Sequence, residues 1–339
     1  MAKTTLLYIA TQNPDKHGHH RGRVRLGHRR AVGAEDGRSR RATPRISRCR
    51  TTASTYTCAT RARPAASARS RSTTKTGALR LLNYKESKGR GPSYVSVDGS
   101  GKYVLDANYG GGFVEVYSLA KDGSLDQQTA FVQHIGSSVH PQRQIEAVRA
   151  LVPHGSDQQV WPGRGSRHGP GGHLQVRRTR PASSRRNDPP FTKVAGGMGP
   201  RHLAFHPNGK WVYGIAELAN EVMAFNWDAS KGALTQFQSV KTLADGFKDP
   251  STAAEIAVRA DGKFLYASNR GEDSIVVYAH RSRRRGELTF KQRVPSRGKV
   301  PRYFTFDPTN KWFIVSNQEG GNVAGVQRGR EDGRAGTEG

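Results

Sequence analysis

Three charged residues in the second half of the chain have the types and spacing of a small catalytic set. Arg201 begins one predicted strand, Glu217 follows the next, and Arg270 follows the equivalent strand 53 residues after Glu217. Arginine side chains bind phosphate or carboxylate and can stabilise a developing oxyanion. A carboxylate can activate or orient water. Such a set can bind a small anionic substrate and position a water molecule beside it, so Arg201, Glu217 and Arg270 are the candidate catalytic residues.

These residues belong to a sequence unit that occurs four times. Each copy has a short strand, a turn ending in lysine, an apolar strand, a polar loop and a third, alternating strand. Three copies continue into a fourth strand, which gives about 50 residues, the size of one propeller blade. The copies are 93–119, 201–227, 254–280 and 302–328.

Two positions of this unit change their residue type from copy to copy. They are the start of the first strand and the residue after the second strand, which lie side by side because the strands are antiparallel. Repeats that agree elsewhere but differ in charge here indicate a binding face, so we predict that Arg302, Asn269 and Gln318 bind the substrate. The first position reads Ser93, Arg201, Ala254 and Arg302, and the second reads Tyr109, Glu217, Arg270 and Gln318.

The spacing of the copies predicts the number of blades. The turn lysines of the last three copies lie 53 and 48 residues apart, whereas 108 residues, or two periods, separate the first from the second. A second double interval follows the N-terminal strand end at Asn13. We therefore predict an all-β fold in which residues 1–339 form one domain, a seven-bladed β-propeller of four-stranded antiparallel blades. Two of its blades, at about 16–75 and 149–186, are expected to be disrupted.

The positive charge is concentrated where the repeat is interrupted. The chain has 55 Lys and Arg against 27 Asp and Glu, a net charge of +28. Residues 16–75 contain 17 basic and 2 acidic residues, and residues 149–186 contain 8 and 1. A sequence rich in Arg, Ala and Gly is typical of a GC-rich gene translated out of frame. We therefore hypothesise that residues 14–74, 148–186 and the irregular tail 327–339 are frame-shifted. The alternative is genuine basic insertions.

Composition argues against several classes of protein. The chain has no run of 18 apolar residues that could form a membrane-spanning helix, and its N-terminal apolar stretch is too short for a signal peptide. Cys49 and Cys58 make neither a disulfide framework nor a zinc site. We therefore expect a cytoplasmic protein with no metal, no cofactor and no membrane or nucleic-acid partner. Its oligomeric state is left open.

The intact units resemble the lactonase family of seven-bladed β-propellers over about two-thirds of the chain. The resemblance rests on GPSYVSVDGSGKYVLDANYGGG (91–112), GPRHLAFHPNGK (199–210), FLYASNRG (264–271) and PRYFTFDPTNKWFIVSN (301–317). It implies metal-independent hydrolysis of a sugar lactone, with 6-phosphogluconolactone and the pentose phosphate pathway as the expected substrate and setting. It also implies catalytic roles at Arg201, Glu217 and Arg270.

The resemblance implies one further catalytic residue, a histidine on the blade that 149–186 replaces. This chain has Val148 and Arg149 where that histidine is expected. Three other readings stay open. The chain could be a muconate-type lactonising enzyme, a non-catalytic propeller that binds a partner through its rim, or a nucleic-acid binder that uses its Arg-rich segments. The last would need aromatic residues interleaved regularly with its basic residues, a pattern that these segments lack.

Overall fold

The structure is a computed structural model. It describes residues 79–88, 92–98, 100–133, 192–281, 286–307, 310 and 312–327, together with the backbones of strands elsewhere in the chain. No residue in this part of the chain lies in a helix, so none of it forms a helix that could cross a membrane. The all-β prediction is confirmed.

The strands form seven sheets that follow one another along the chain, each made of consecutive antiparallel strands. The first sheet has β1 (Thr4–Ala10) and β2 (His19–Arg25). The second has β3 (Arg50–Thr52), β4 (Thr55–Thr60), β5 (Ala66–Ser72) and β6 (Leu79–Glu86). The third has β7 (Pro92–Val97), β8 (Tyr103–Asn108), β9 (Phe113–Leu119) and β10 (Leu125–Gln133).

The fourth sheet has three strands, β11 (Gln158–Arg164), β12 (Gly171–Arg178) and β13 (Thr192–Ala195). The fifth has β14 (Pro200–Phe205), β15 (Trp211–Ala216), β16 (Glu221–Asp228) and β17 (Ala233–Lys241). The sixth has β18 (Thr252–Val258), β19 (Phe264–Arg270), β20 (Ser274–Arg281) and β21 (Glu287–Pro295). The seventh has β22 (Pro301–Phe306), β23 (Trp312–Asn317) and β24 (Asn322–Gln327).

The structure assigns strands to both segments in which the repeat is interrupted. The second sheet occupies much of 50–86, and the fourth lies within 158–195. The prediction that these two blades are disrupted stays a prediction, because the strand assignments describe only the backbone of most of these residues. Pairing between strands uses backbone groups, which are present whatever the side chains. The frame-shift hypothesis concerns side chains that lie almost entirely outside the described residues. The tail 327–339, apart from its first residue, also lies outside them.

The turn between the first two strands of each unit needs a left-handed residue. Gly101, Gly209 and Gly262 occupy that position with φ between +71° and +73°, where a side chain would be strained. Asn310 takes the same place in the last copy with φ +55°, a conformation that asparagine tolerates. The repeated turn therefore closes the same hairpin in four sheets.

The chain divides into two compact units, one of residues 47–219 with 223–238 and the other of residues 1–46, 220–222 and 239–339. Each has its own apolar core. In the first, Leu105, Leu203 and Phe225 belong to one cluster. In the second, Tyr266, Phe304 and Phe313 belong to another. The prediction of one domain stays a prediction.

The second strands of the third, fifth and sixth sheets (β8, β15 and β19) are covered on both faces. In β8, Leu105 packs in one cluster and Val104 in another, so successive side chains are all buried. Any polar side chain in such a strand must therefore find its partners inside the protein.

Candidate functional site

Arg201 and Glu217 form a buried ion pair at one end of the fifth sheet. Strand β14 pairs with β15 so that Pro200 lies opposite Ala216, and the register shifts at Arg201, which is an irregularity of the β-bulge type. The Arg201 Nη1 atom lies 3.6 Å from Glu217 Oε2, and the two side chains are 9% and 5% exposed. The predicted proximity of these two residues is confirmed.

The backbone next to this pair holds Glu217 in place. The Glu217 N–H donates to the Gly199 carbonyl oxygen at 2.8 Å. Gly199 has φ +61°, and a β-carbon there would lie 2.7 Å from Leu218 Cγ. Glycine is favoured at this point because a side chain would push against the residue that follows Glu217.

The seventh sheet repeats the arrangement with a neutral partner. Pro301 lies opposite Asn317, the register shifts at Arg302, and Arg302 Nη1 donates to Gln318 Oε1 at 3.3 Å. Both residues are half-buried. The pairing of Arg302 with Gln318 is thus the counterpart of the ion pair in the fifth sheet, but its acceptor carries no charge.

Arg270 occupies the position of Glu217 in the sixth sheet, as the repeat predicts. Asn269 lies opposite Ala253, and Thr252 lies opposite Arg270. The Arg270 guanidinium is half-buried and donates from Nε to the Thr252 carbonyl at 3.3 Å and from Nη2 to the Ala253 carbonyl at 3.1 Å. These bonds fix the direction of the side chain along the strand end.

Asn269 is fully buried, and its amide nitrogen has three acceptors within the protein. They are the Thr242 carbonyl at 2.8 Å, Glu272 Oε2 at 3.0 Å and Ser274 Oγ at 3.0 Å. Asn317 makes the equivalent bond to the Ser296 carbonyl at 3.2 Å. This geometry gives the Asn269 side chain a structural role, because it joins the strand end to the segment that follows β17. The prediction that Asn269 binds the substrate did not include this structural role.

Sequence reasoning missed a buried carboxylate in the sixth sheet. Glu255 in β18 is 1% exposed and occupies the place that His202 takes in β14. Its backbone N–H donates to Ser268 Oγ at 3.0 Å, and its Oε1 accepts the Ile256 N–H at 3.2 Å. The available signal was an acidic residue inside an otherwise apolar strand, AAEIAV.

Sequence reasoning also missed Val300, which is left-handed with φ +61°. Its carbonyl oxygen accepts the Gln318 N–H at 2.8 Å, as the Gly199 carbonyl accepts that of Glu217. The Val300 N–H donates to Asp273 Oδ1 at 2.8 Å. No sequence pattern points to a β-branched residue in this conformation.

No three or more His, Cys, Asp or Glu side chains are grouped to hold a metal ion within the described residues. The arrangement that the structure does show consists of arginine forks and a buried carboxylate at strand ends. Such groups can hold an anion and position a water molecule.

Comparison with known proteins finds a matching family and relatives whose names agree with that family. A family model described as Lactonase, 7-bladed beta-propeller matches residues 48–169 and 175–338. A protein of Bacillus subtilis (strain 168) named 6-phosphogluconolactonase is 35% identical over 263 residues, which cover 76% of this chain and 72% of that one. A 6-phosphogluconolactonase of Formosa agariphila is 30% identical over 263 residues, with the same coverage of 76% and 72%.

Solved structures have the same fold. The periplasmic gluconolactonase of Pseudomonas aeruginosa is 25% identical, with a TM-score of 0.86 over 98% of this chain and 94% of that one. A putative 6-phosphogluconolactonase from Bacteroides fragilis is 22% identical, with a TM-score of 0.81 over 99% and 93%. At that identity the second likeness supports the fold alone.

Proposed function

This chain belongs to the lactonase family of seven-bladed β-propellers, and we propose that it hydrolyses a sugar lactone, with 6-phosphogluconolactone as its substrate. The observation that carries the proposal is the buried pair of Arg201 and Glu217 at 3.6 Å. It supplies a carboxylate and a guanidinium in one place, in a chain whose relatives are named as lactone hydrolases.

Glu217 and Arg201 have different roles in the proposed hydrolysis of the lactone ester. A water molecule attacks the lactone carbonyl carbon while the Glu217 carboxylate accepts its proton. The carbonyl oxygen becomes an oxyanion, which the Arg201 guanidinium stabilises. The ring C–O bond then breaks, and the departing ring oxygen takes the proton from Glu217 to give the open hydroxy acid.

Arg270 and Arg302 are proposed to recognise the negative charge of the substrate. The Arg270 guanidinium donates from Nε and Nη2 to backbone carbonyls, and these two bonds orient the fork. Arg302 donates to the neutral Gln318 amide oxygen, and its guanidinium fork matches the geometry of a phosphate group. We propose Gln318 and Asn269 as supporting residues, Gln318 through Arg302 and Asn269 through the strand end that carries Arg270.

The remaining proposals concern setting and partners. We propose a cytoplasmic enzyme that needs no metal or cofactor and whose partner is a small anionic lactone rather than a nucleic acid or a membrane. A lactonase assay without added metal, with and without a chelator, tests the first point. Loss of activity on chelation would contradict it.

The test of function uses the purified 339-residue chain. Hydrolysis of 6-phosphogluconolactone and of unphosphorylated gluconolactone is followed by acid release, and the spontaneous rate is subtracted. We expect catalysed hydrolysis that the Glu217→Gln variant lacks, with preference for the phosphorylated lactone. A folded chain that hydrolyses neither lactone would overturn the proposal.

A further inference from the structure

Two carboxylic acids are buried side by side in the third sheet. Asp106 in β8 lies directly opposite Glu115 in β9, and both residues are 0% exposed. Directly opposed residues of antiparallel strands project from the same face of the sheet, so their side chains are neighbours.

Each carboxyl group has one oxygen with hydrogen-bond donors and one without. Asp106 Oδ2 accepts from Ser67 Oγ at 2.8 Å, and Glu115 Oε1 accepts from Gln128 Nε2 at 3.1 Å and the Lys88 N–H at 3.5 Å. Asp106 Oδ1 and Glu115 Oε2 are buried and accept no hydrogen bond. Two charged carboxylates cannot share such a place without a positive charge.

The described side chains around the pair supply no such charge. Strand β5 contributes the Ser67 hydroxyl, β9 the Tyr117 hydroxyl and β10 the Gln128 amide. The Lys88 ammonium lies over the Phe131 ring, 5.1 Å from its centre. From β7, the residue opposite Asp106 is Val95, which is apolar.

We propose that Asp106 and Glu115 form a one-proton site, in which the two carboxyl groups hold a single shared proton at neutral pH. The site lies where the third sheet faces Ser67 of the second, so loss of the proton leaves two negative charges between these sheets.

The direction of the pH dependence follows from burial. Desolvation raises the pKa of the Asp106 carboxyl to about 7, the Ser67 hydrogen bond opposes this and the Glu115 charge adds to it. The folded chain therefore binds this proton more tightly than the unfolded chain does. The stabilisation that this proton gives the folded chain is complete below the ordinary pKa of aspartate, decreases as the pH rises and is lost once the pH has passed about 7.

The test is the thermal unfolding midpoint of the full chain between pH 5.5 and pH 8.5 (roughly one and a half units on either side of the Asp106 pKa), in buffer with chelator. We expect the midpoint of the wild type to fall as the pH rises, and the Asp106→Asn variant to lose much of that slope. Asp126→Asn removes an exposed carboxylate two strands away and should keep the wild-type slope. Ser67→Lys, which brings a cation to the pair, should raise the midpoint at pH 8.5.

Infrared spectroscopy gives a readout that does not depend on unfolding. A protonated-carboxyl band should be present in the wild type near pH 6, weaken by pH 8.5 and be absent from Asp106→Asn. Two outcomes would overturn the proposal. One is an unchanged pH slope in Asp106→Asn. The other is a calcium-dependent rise of the wild-type midpoint at pH 8.5 that Asp106→Asn lacks.

Discussion

Gly199 and Val300 occupy the same place in two sheets and have the same backbone conformation, with φ +61° in each. Each precedes a proline that begins a strand, and each carbonyl accepts the N–H of the residue that partners an arginine, Glu217 or Gln318, at 2.8 Å. The left-handed region is disfavoured for a β-branched residue, and proline restricts the residue before it further. Tertiary contacts therefore hold Val300 in a backbone conformation that Gly199 adopts without strain.

Substitution of Gly199 by alanine should disturb the residue that follows Glu217. The new β-carbon would lie 2.7 Å from Leu218 Cγ, in addition to the penalty of a left-handed alanine. We expect a loss of about 2–3 kcal/mol in the free energy of unfolding, with a lower kcat. Chemical denaturation and lactonase assays measure the two effects.

Gly209→Ala is the matched control for that variant. Gly209 also has positive φ, at +71°, but a β-carbon there meets nothing within 4 Å. It should cost only the conformational penalty, about 1 kcal/mol, and leave kcat unchanged. Equal effects of the two variants would show that the contact with Leu218 is unimportant.

Val300→Gly should stabilise the protein, because it removes the strain of a left-handed β-branched residue. That strain is about 1–3 kcal/mol, of which the greater freedom of glycine in the unfolded chain offsets about 1 kcal/mol. The same change at Val240, a half-buried residue of β17 with ordinary strand geometry, should destabilise. Denaturant unfolding of both variants is the measurement, and a destabilised Val300→Gly would contradict the strain.

Glu217→Gln should abolish most of the lactonase activity while the chain still folds. General-base catalysis contributes about 10²–10⁴-fold to a rate, so kcat should fall by about that factor. The fold accommodates an arginine beside glutamine, because Arg302 and Gln318 form that pair in the seventh sheet. Steady-state kinetics with a circular dichroism control separates loss of chemistry from loss of structure.

Arg302→Gln should raise KM for the phosphorylated lactone about tenfold or more and leave KM for unphosphorylated gluconolactone nearly unchanged. The reason is the loss of a guanidinium that binds phosphate. Lys299→Gln removes an exposed charge three residues away and should change neither value by more than about twofold. A parallel rise of KM for both lactones would argue against phosphate recognition by Arg302.

The frame-shift hypothesis is tested on the nucleotide sequence. Translation of the regions that encode 14–74 and 148–186 in the other two frames should give amino-acid sequences with the strand and turn pattern of the repeat. One of them should include the histidine that the family resemblance implies. If neither frame gives such text, the basic segments are genuine insertions.

The repeat alone was sufficient to predict the paired residues at each strand end. Alternating apolar residues and the left-handed turn define each hairpin, and an antiparallel hairpin brings the start of one strand beside the end of the next. Arg201 therefore had to lie near Glu217, and Arg302 near Gln318, as the structure shows. These are interactions between neighbours in one sheet, which local sequence periodicity encodes.

Contacts between sheets were decided by the tertiary structure. The Asn269 amide is engaged by a segment that follows another sheet, and Asp106, in a strand covered on both faces, accepts a hydrogen bond from Ser67 of the second sheet. The backbone of Val300 is held by Asp273 and Gln318. Such contacts join residues far apart in the chain, so their partners, burial and protonation depend on how the sheets pack and leave no periodic signal in the sequence.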